Sequence, residues 1–135
     1  MANGGNATVR ELMAKSIVTG DLRQSLVDAA AVMRTKWISA LAVLDGEAIV
    51  GIVTERDLLR AIADGRNLAR THVSQYMTNS RRTIEARELA AKAAMIMVKH
   101  HVRHLPVTDA GRLIGFLSAR EPAGSQAIAA ETALR

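Results

Sequence analysis

The chain has 135 residues, of which 49% are hydrophobic and 23% charged, and these proportions are typical of one globular module. The longest uninterrupted apolar run spans 93–98, far short of the roughly 20 residues that cross a bilayer, and the opening residues show no apolar segment typical of a signal peptide. The absence of cysteine excludes disulfides, thiolate metal ligands and cysteine nucleophiles. A cytoplasmic protein is therefore expected.

The net charge of +5 is spread thinly along the chain. Its densest parts are Arg81–Arg82 and residues 99–104. RNA-binding sheets stack bases on exposed aromatic side chains, and the chain has one Trp, one Tyr and one Phe. Nucleic acid is therefore not the expected partner, and steeply salt-dependent retention of DNA or RNA would be needed to support it. A small anionic ligand such as a nucleotide uses the same charge over less surface.

In chain order, the first half predicts an arm followed by alternating strands and helices. Residues 1–8 read as a flexible arm, and Thr8 caps a helical turn over 9–13. A short strand is predicted at 17–19. Ser25 caps a helix that reaches about Lys36, and it has apolar residues at helical spacing. These residues are Leu26, Ala29, Ala30, Met33 and Trp37.

Two strands and a helix complete this first half. The strands span 40–44 and 48–53, with a hairpin turn at 45–47 between them. Thr54 then begins a helix that extends to about Asp64, and Gly65 ends it. Residues 51–57 (GIVTERD) combine an apolar run, a hydroxyl residue and an acid three positions later. This spacing predicts a capping box, in which hydroxyl and acid satisfy the amides that open a helix, and it also suits a ligand site at a strand-to-helix turn.

The same motif recurs 64 positions later, at 115–121 (GFLSARE). Without a gap, residues 9–57 align on 73–121 with 13 identities in 49 positions, and the core positions stay apolar. The repeat predicts an α/β (α+β) fold of two β-α-β-β-α units related by a pseudo-twofold axis. The predicted division is an arm at 1–8, repeat 1 at 9–70, repeat 2 at 71–122 and a tail at 123–135. Ser125 is a candidate cap for a short helix reaching Leu134.

These residues resemble the cystathionine-β-synthase (CBS) domain, and two such repeats in tandem resemble a Bateman module. The likeness lies in the Val-x-x-x-Met opening, the threonine-bearing strand, the Ala/Met helix, the hairpin and the Gly-h-h-Thr/Ser-x-x-Asp motif, over about 9–121. Residues 101–107 (HVRHLPV) are typical of the family's second-strand segment. The resemblance implies a sensor without a required cofactor that binds an adenine nucleotide or S-adenosylmethionine-like ligand, forms a disc-like homodimer and acts on an unknown regulated protein.

The resemblance also implies two ligand clefts, each combining the hydroxyl-acid motif of one repeat with the strand segments of the other. In cleft one, Asp57 is expected to accept from ribose hydroxyls and Thr54 to face phosphate together with the amides opening its helix. Arg103 and His104 supply positive charge, and apolar strand edges hold the adenine. The cleft-one residues are Thr54, Asp57, Thr83, Val102, Arg103, His104 and Leu105.

Cleft two departs from the family pattern and is expected to bind more weakly. Glu121 replaces the usual aspartate, Pro122 follows it, and neutral residues replace the cationic pair of cleft one. Its residues are Thr19, Ile38, Ser39, Ala40, Leu41, Ser118 and Glu121.

Other functional readings have less support in the sequence. His100, His101 and His104 have no acid or cysteine nearby in the chain, so no metal site is predicted. Met33, Met95 and Met97 are interpreted as core residues of helix faces. No catalytic motif is present, so an enzyme is not expected. The alternative to ligand sensing is a structural or protein-interaction module whose clefts have lost their ligand.

Overall fold

The computed structural model describes residues 6–15 and 18–119. The chain packs as two compact units. We call Val18–Arg81 the central unit; the other, the terminal unit, combines Met1–Ile17 with Arg82–Arg135. In chain order the helices and strands are α1 Val9–Leu12, β1 Thr19–Asp21, α2 Leu26–Lys36, β2 Ala40–Asp45, β3 Ala48–Thr54, α3 Glu55–Ala63, a 3-10 turn Val73–Gln75, β4 Thr78–Asn79, β5 Ile84–Glu85, α4 Ala90–His100, β6 His104–Asp109 and β7 Arg112–Ser118.

The central unit contains a four-stranded sheet in the order β1-β2-β3-β4. The pair β1 and β2 is parallel, as expected when a helix connects two strands, and the other pairs are antiparallel. α2 buries Leu26, Ala29 and Met33 against the strands, because these residues recur every three to four positions. The side chains of Val73 and Tyr76 belong to the same core.

The terminal unit repeats this arrangement with β5, β6 and β7. Again the first pair is parallel and the second antiparallel. The register of the hairpin shifts at Val107/Thr108, 64 residues after the shift at Val43/Leu44. The mixed α+β class and the internal repeat predicted from the sequence are thus confirmed.

The opening segment of each repeat packs in the unit that contains the hairpin of the other repeat. Val9 and Met13 lie in the core of the terminal unit with Leu117, as Val73 and Tyr76 do in the central unit. Gly51 and Gly115, which occupy equivalent positions of the two repeats, allow each opening segment to approach the hairpin closely. A Cβ on Gly115 would lie 2.5 Å from the carbonyl oxygen of Ala14, and one on Gly51 would lie 2.5 Å from that of Thr78.

Most predicted elements lie where the sequence placed them. The capped turn after Thr8, the helix after Ser25, both strands of the first hairpin and the helix after Thr54 are confirmed. The first strand begins at Thr19, later than predicted. The predicted helix after Ser125 lies outside the described residues. Among those described, no helix combines the length and apolar character that a membrane crossing requires.

Three expectations are corrected by the structure. Trp37 does not belong to the buried face of α2: it is the left-handed residue that ends this helix, and it is 84% exposed. Met95 is not a core residue but is 71% exposed on α4, whereas Met33 and Met97 are buried as predicted. The predicted arm is too long at its C-terminal end. Ala7 is buried, and its carbonyl accepts a hydrogen bond from the Ala90 amide.

Candidate functional site

Thr54 and Asp57 form a closed hydrogen-bonded pair where β3 passes into α3. The Thr54 amide donates to Asp57 Oδ2 at 2.9 Å, and the Thr54 hydroxyl donates to the same oxygen at 3.2 Å. In return, the Asp57 amide donates to Thr54 Oγ1 at 3.3 Å. The predicted capping box is therefore present, and it fixes the carboxylate in one orientation at the positive end of the helix dipole.

Among the residues that the structure describes, Asp57 is the one charged residue that is buried, with 5% of its surface exposed. Its second oxygen, Oδ1, accepts a hydrogen bond from Arg60 Nη1 at 2.9 Å, one turn further along α3. A buried carboxylate requires such charged or polar partners to offset the loss of hydration. Arg60 itself is 57% exposed, so this guanidinium stands at the surface above the buried acid.

The amides that open α3 are largely used within the protein. The Glu55 amide donates to the Ser39 carbonyl at 3.0 Å, and the Asp57 amide donates to Thr54. The expected phosphate contact at this helix start therefore has fewer donors than the motif alone suggests, and the negative Asp57 also opposes an anion there. The geometry suits Asp57 as an acceptor for hydroxyl groups better than it suits the helix start as a phosphate site.

The central unit also holds the strand residues that the sequence assigned to cleft two. Ala40 lies opposite Thr54 in the sheet register, and Thr19 starts β1 opposite Ala42. Leu41 is fully buried in the core and lies opposite Val53 in the sheet register. Ile38 is half-buried at the edge of the same core, and Ser39 is half-buried beside it.

The terminal unit carries the corresponding segment of cleft one. Arg103 is exposed just before β6, and its carbonyl accepts from the Ala119 amide at 2.8 Å, as Ser39 does from Glu55. His104 is half-buried, with its ring edge-on to Phe116 at a centroid distance of 6.0 Å. Leu105 is buried in the core, Val102 is half-buried against it, and Thr83 is exposed before β5.

The second hydroxyl-acid motif is only partly described. Ser118 ends β7, half-buried, and lies opposite His104 in the sheet register. Glu121 lies outside the described residues, so the second capping box stays a prediction.

A cluster of basic side chains surrounds the C-terminal end of α4. The pKa of His100 lies below its usual value of 6.5, because partial desolvation of the ring and the positive charges of Arg82, Lys99 and His101 disfavour its protonated form. Within residues 6–15 and 18–119, no three His, Cys, Asp or Glu side chains are grouped closely enough to hold a metal ion.

Two residues were missed by the reading of the sequence: Arg60, which contacts Asp57, and Tyr76, which contacts Arg60. Arg60 could have been recognised, because residues three apart on a helix are neighbours and an acid and a base at this spacing pair readily. Tyr76 gave no such signal. Its ring lies beneath Arg60, with 5.4 Å between the guanidinium carbon and the ring centroid, and its hydroxyl donates to Asp64 at 2.6 Å and accepts from Arg66 at 3.2 Å.

Comparison with known proteins places these residues in a family context. The family model "CBS domain" matches residues 9–64 and 73–121. The CBS domain-containing protein YhcV of Bacillus subtilis is 27% identical over 121 residues, covering 89% of this chain and 86% of the relative. Against CBSCBSPB1 of Arabidopsis thaliana the identity is 32%, but the chain spans only 21% of that protein's length.

Solved structures show the same fold. A protein with CBS domains from Burkholderia ambifaria is 36% identical, with a TM-score of 0.75 over 83% of this chain and 88% of the other. The CBS domain pair of protein MJ0100 was solved in complex with 5′-methylthioadenosine and S-adenosyl-L-methionine. Its TM-score is 0.73 over 84% of this chain and 90% of the other, and at 24% identity this likeness shows that the two chains share a fold.

Proposed function

Because this chain belongs to the CBS domain family, with two copies in tandem, we propose that it is a regulatory module that binds an adenosine-containing ligand. The candidates are AMP, ADP, ATP and S-adenosylmethionine-like molecules. Binding biases the packing of the module, and a partner protein responds to that change. The proposal gives the chain no catalytic step.

The observation that carries the proposal is the buried and oriented carboxylate of Asp57. A carboxylate is a pure acceptor with two oxygens, which suits the adjacent hydroxyls of a ribose. Its orientation is fixed before any ligand arrives, because Thr54 holds Oδ2 through two donors. A preformed acceptor avoids the entropic cost of ordering a side chain on binding.

The phosphates and the adenine of the ligand are assigned to residues of the terminal unit. Arg103 is exposed and its planar guanidinium suits phosphate oxygens, so we assign it, with His104, to the phosphates. The half-buried Val102 offers apolar surface to the adenine, whereas Leu105 is fully buried in the core against which Val102 packs. The adenosyl ligands of the MJ0100 domain pair support this ligand class by analogy.

Calorimetric titration with AMP, ADP, ATP and S-adenosylmethionine tests the proposal. Asp57→Ala and Arg103→Ala are expected to weaken binding by about tenfold to a hundredfold, since a charge-assisted hydrogen bond contributes about 1.5–3 kcal/mol. Glu121→Ala is expected to have a smaller effect. Glu55→Ala is the matched control, because Glu55 is an exposed acid in the same first turn of α3.

The absence of both heat and thermal stabilisation with all four ligands at millimolar concentration would exclude this function. If Glu121→Ala weakened binding more than Asp57→Ala, the assignment of the stronger site would be wrong.

A second candidate function is a protein-interaction module whose sites have lost their ligand. It is favoured by exposed apolar side chains, which include Met95 and Val98 one turn apart on α4, and Leu59 and Ile62 one turn apart on α3. We propose homodimerisation through such helix faces. A dimer seen by light scattering together with no response to any nucleotide would favour this function over ligand sensing.

A further inference from the structure

Arg60 occupies one of the hydrogen-bond acceptor positions of Asp57, and a ribose hydroxyl would need that position. The two oxygens of a carboxylate offer about four acceptor positions. Three donors of the described chain already point at Asp57: the Thr54 amide, the Thr54 hydroxyl and Arg60 Nη1. About one position is therefore left, whereas the 2′- and 3′-hydroxyls of a ribose present two donors.

Of these three donors, Arg60 is the one that is free to move. The Thr54 amide is part of the backbone at the start of α3, and the Thr54 hydroxyl is held by the Asp57 amide. The Arg60 side chain is 57% exposed, and its guanidinium is carried on a flexible stem of three methylene groups. When it leaves Asp57, its guanidinium can remain over the ring of Tyr76, where it already lies 5.4 Å from the centroid. Contact with the ring lowers the cost of its release.

We infer that Arg60 is a specificity-determining residue of this site, which competes with the ligand for Asp57 and decides whether one or both ribose hydroxyls are bound. This inference rests on the proposed function. While Arg60 is paired, Asp57 accepts one hydroxyl, so ribose and deoxyribose are distinguished weakly. Once it is displaced, Asp57 accepts two, and the ribose is preferred.

The second motif of the chain has no counterpart of this arginine in sequence. The position 64 residues after Arg60 is Gly124, as Glu121 follows Asp57 at the same interval. A competing cation is therefore encoded in the first motif only.

The test compares adenosine with 2′-deoxyadenosine, since neither carries a phosphate to which a released Arg60 could bind. Arg60→Gln is expected to tighten adenosine binding about three- to tenfold, the equivalent of part of one exposed charge-assisted hydrogen bond. The affinity for 2′-deoxyadenosine is expected to change by less than about twofold, because a single hydroxyl already has its position. Dissociation constants are measured by NMR titration on the folded chain.

Two further variants keep the test decisive. Arg66→Gln is the matched control, because Arg66 also contacts the Tyr76 ring and hydroxyl but makes no contact with Asp57, and it should leave both affinities unchanged. Arg60→Lys keeps the positive charge and loses the planar fork, so its adenosine affinity should fall between those of the parent chain and Arg60→Gln. It decides the question if Arg60→Gln does not fold.

The outcomes separate this inference from the proposed function. A parent chain that binds AMP and adenosine, with Arg60→Gln changing both nucleosides equally or not at all, overturns the role of Arg60 and leaves the function standing. Equal tightening in Arg66→Gln also overturns it, because the effect would then come from the surroundings of Tyr76. If no protein of the series binds AMP or adenosine, the proposed function and the role of Arg60 both fail.

Discussion

At the scale of single residues, Trp37 stands out because it adopts a conformation that usually belongs to glycine. It ends α2 with φ 58° and ψ 44°, and its amide donates to the Met33 carbonyl. The next amide, that of Ile38, donates to the same carbonyl at 3.0 Å, so the helix closes with bonds of the kind found at glycine-capped ends. A residue with a Cβ costs about 1–2 kcal/mol in this region.

We predict that Trp37→Gly raises the free energy of unfolding by about 1 kcal/mol, because it removes this backbone strain while the 84% exposed indole contributes little packing. Trp37→Ala keeps the Cβ and is the control, for which no comparable gain is expected. Urea denaturation followed by far-ultraviolet circular dichroism measures both. Equal gains in the two variants would show that the exposed indole, and not the left-handed backbone, limits stability.

Residue-scale features were predictable where the cause is local. The capping box of Thr54 and Asp57 follows from a spacing of three residues, and its hydrogen bonds are present. The burial of Met95 was predicted wrongly, because α4 contains the apolar run 93–98 and a helix that is apolar on every side does not reveal which side faces the core.

At the scale of elements, the glycine in each hairpin is required by a neighbouring segment. The hairpin of β6 and β7 receives the stretch after α1 so closely that a Cβ on Gly115 would meet the Ala14 carbonyl oxygen at 2.5 Å and Met13 Sδ at 2.9 Å. Backbone atoms cannot withdraw as a flexible side chain can. Glycine is thus needed here because two segments of the backbone approach each other closely.

We predict that Gly115→Ala lowers the free energy of unfolding by about 1–3 kcal/mol, the usual cost of overpacking. Gly20→Ala is the control, since its new Cβ would meet the flexible Gln24 side chain at 3.0 Å and no backbone atom closer. Thermal unfolding of both variants measures the difference. A Gly115→Ala protein as stable as the parent would show that α1 does not pack against this hairpin as described.

The elements were predictable from the sequence, but the partners of the opening segments were not. Strands and helices follow from apolar periodicity and turn residues, and the repeat from identity at a fixed interval. Each opening segment, 9–13 or 73–77, is the first part of its own repeat in the chain. Nothing in the residues showed that Met13 would pack at Gly115 or Met77 at Gly51.

At the scale of the whole molecule, the two sequence repeats and the two packed units do not have the same boundaries. The central unit is one continuous stretch, Val18–Arg81, whereas the terminal unit joins two stretches that are far apart in the chain. Arg10 and Asp109, whose ion pair measures 2.7 Å, are 99 positions apart. Closing so long a loop is entropically costlier than the contacts within the central unit.

We predict that the fragment 18–81 unfolds cooperatively by itself, because it contains every residue of its core cluster, including Val73 and Tyr76. The fragment 82–119 should fold only when a peptide of residues 6–15 is added, since Val9 and Met13 belong to its core. Circular dichroism and NMR spectra of the fragments, alone and mixed, measure this. A fragment 9–70 more stable than 18–81 would contradict the observed offset.

The offset also has a consequence for synthesis on the ribosome. The central unit has all its parts as soon as Arg81 has emerged, but α1, made first, must wait for β7, made about 100 residues later. At roughly 5–20 residues per second this delay lasts on the order of 5–20 s. During that time the apolar side chains of Val9, Leu12 and Met13 have no packing partner on the nascent chain. Chaperones and other nascent chains can bind this segment during that interval.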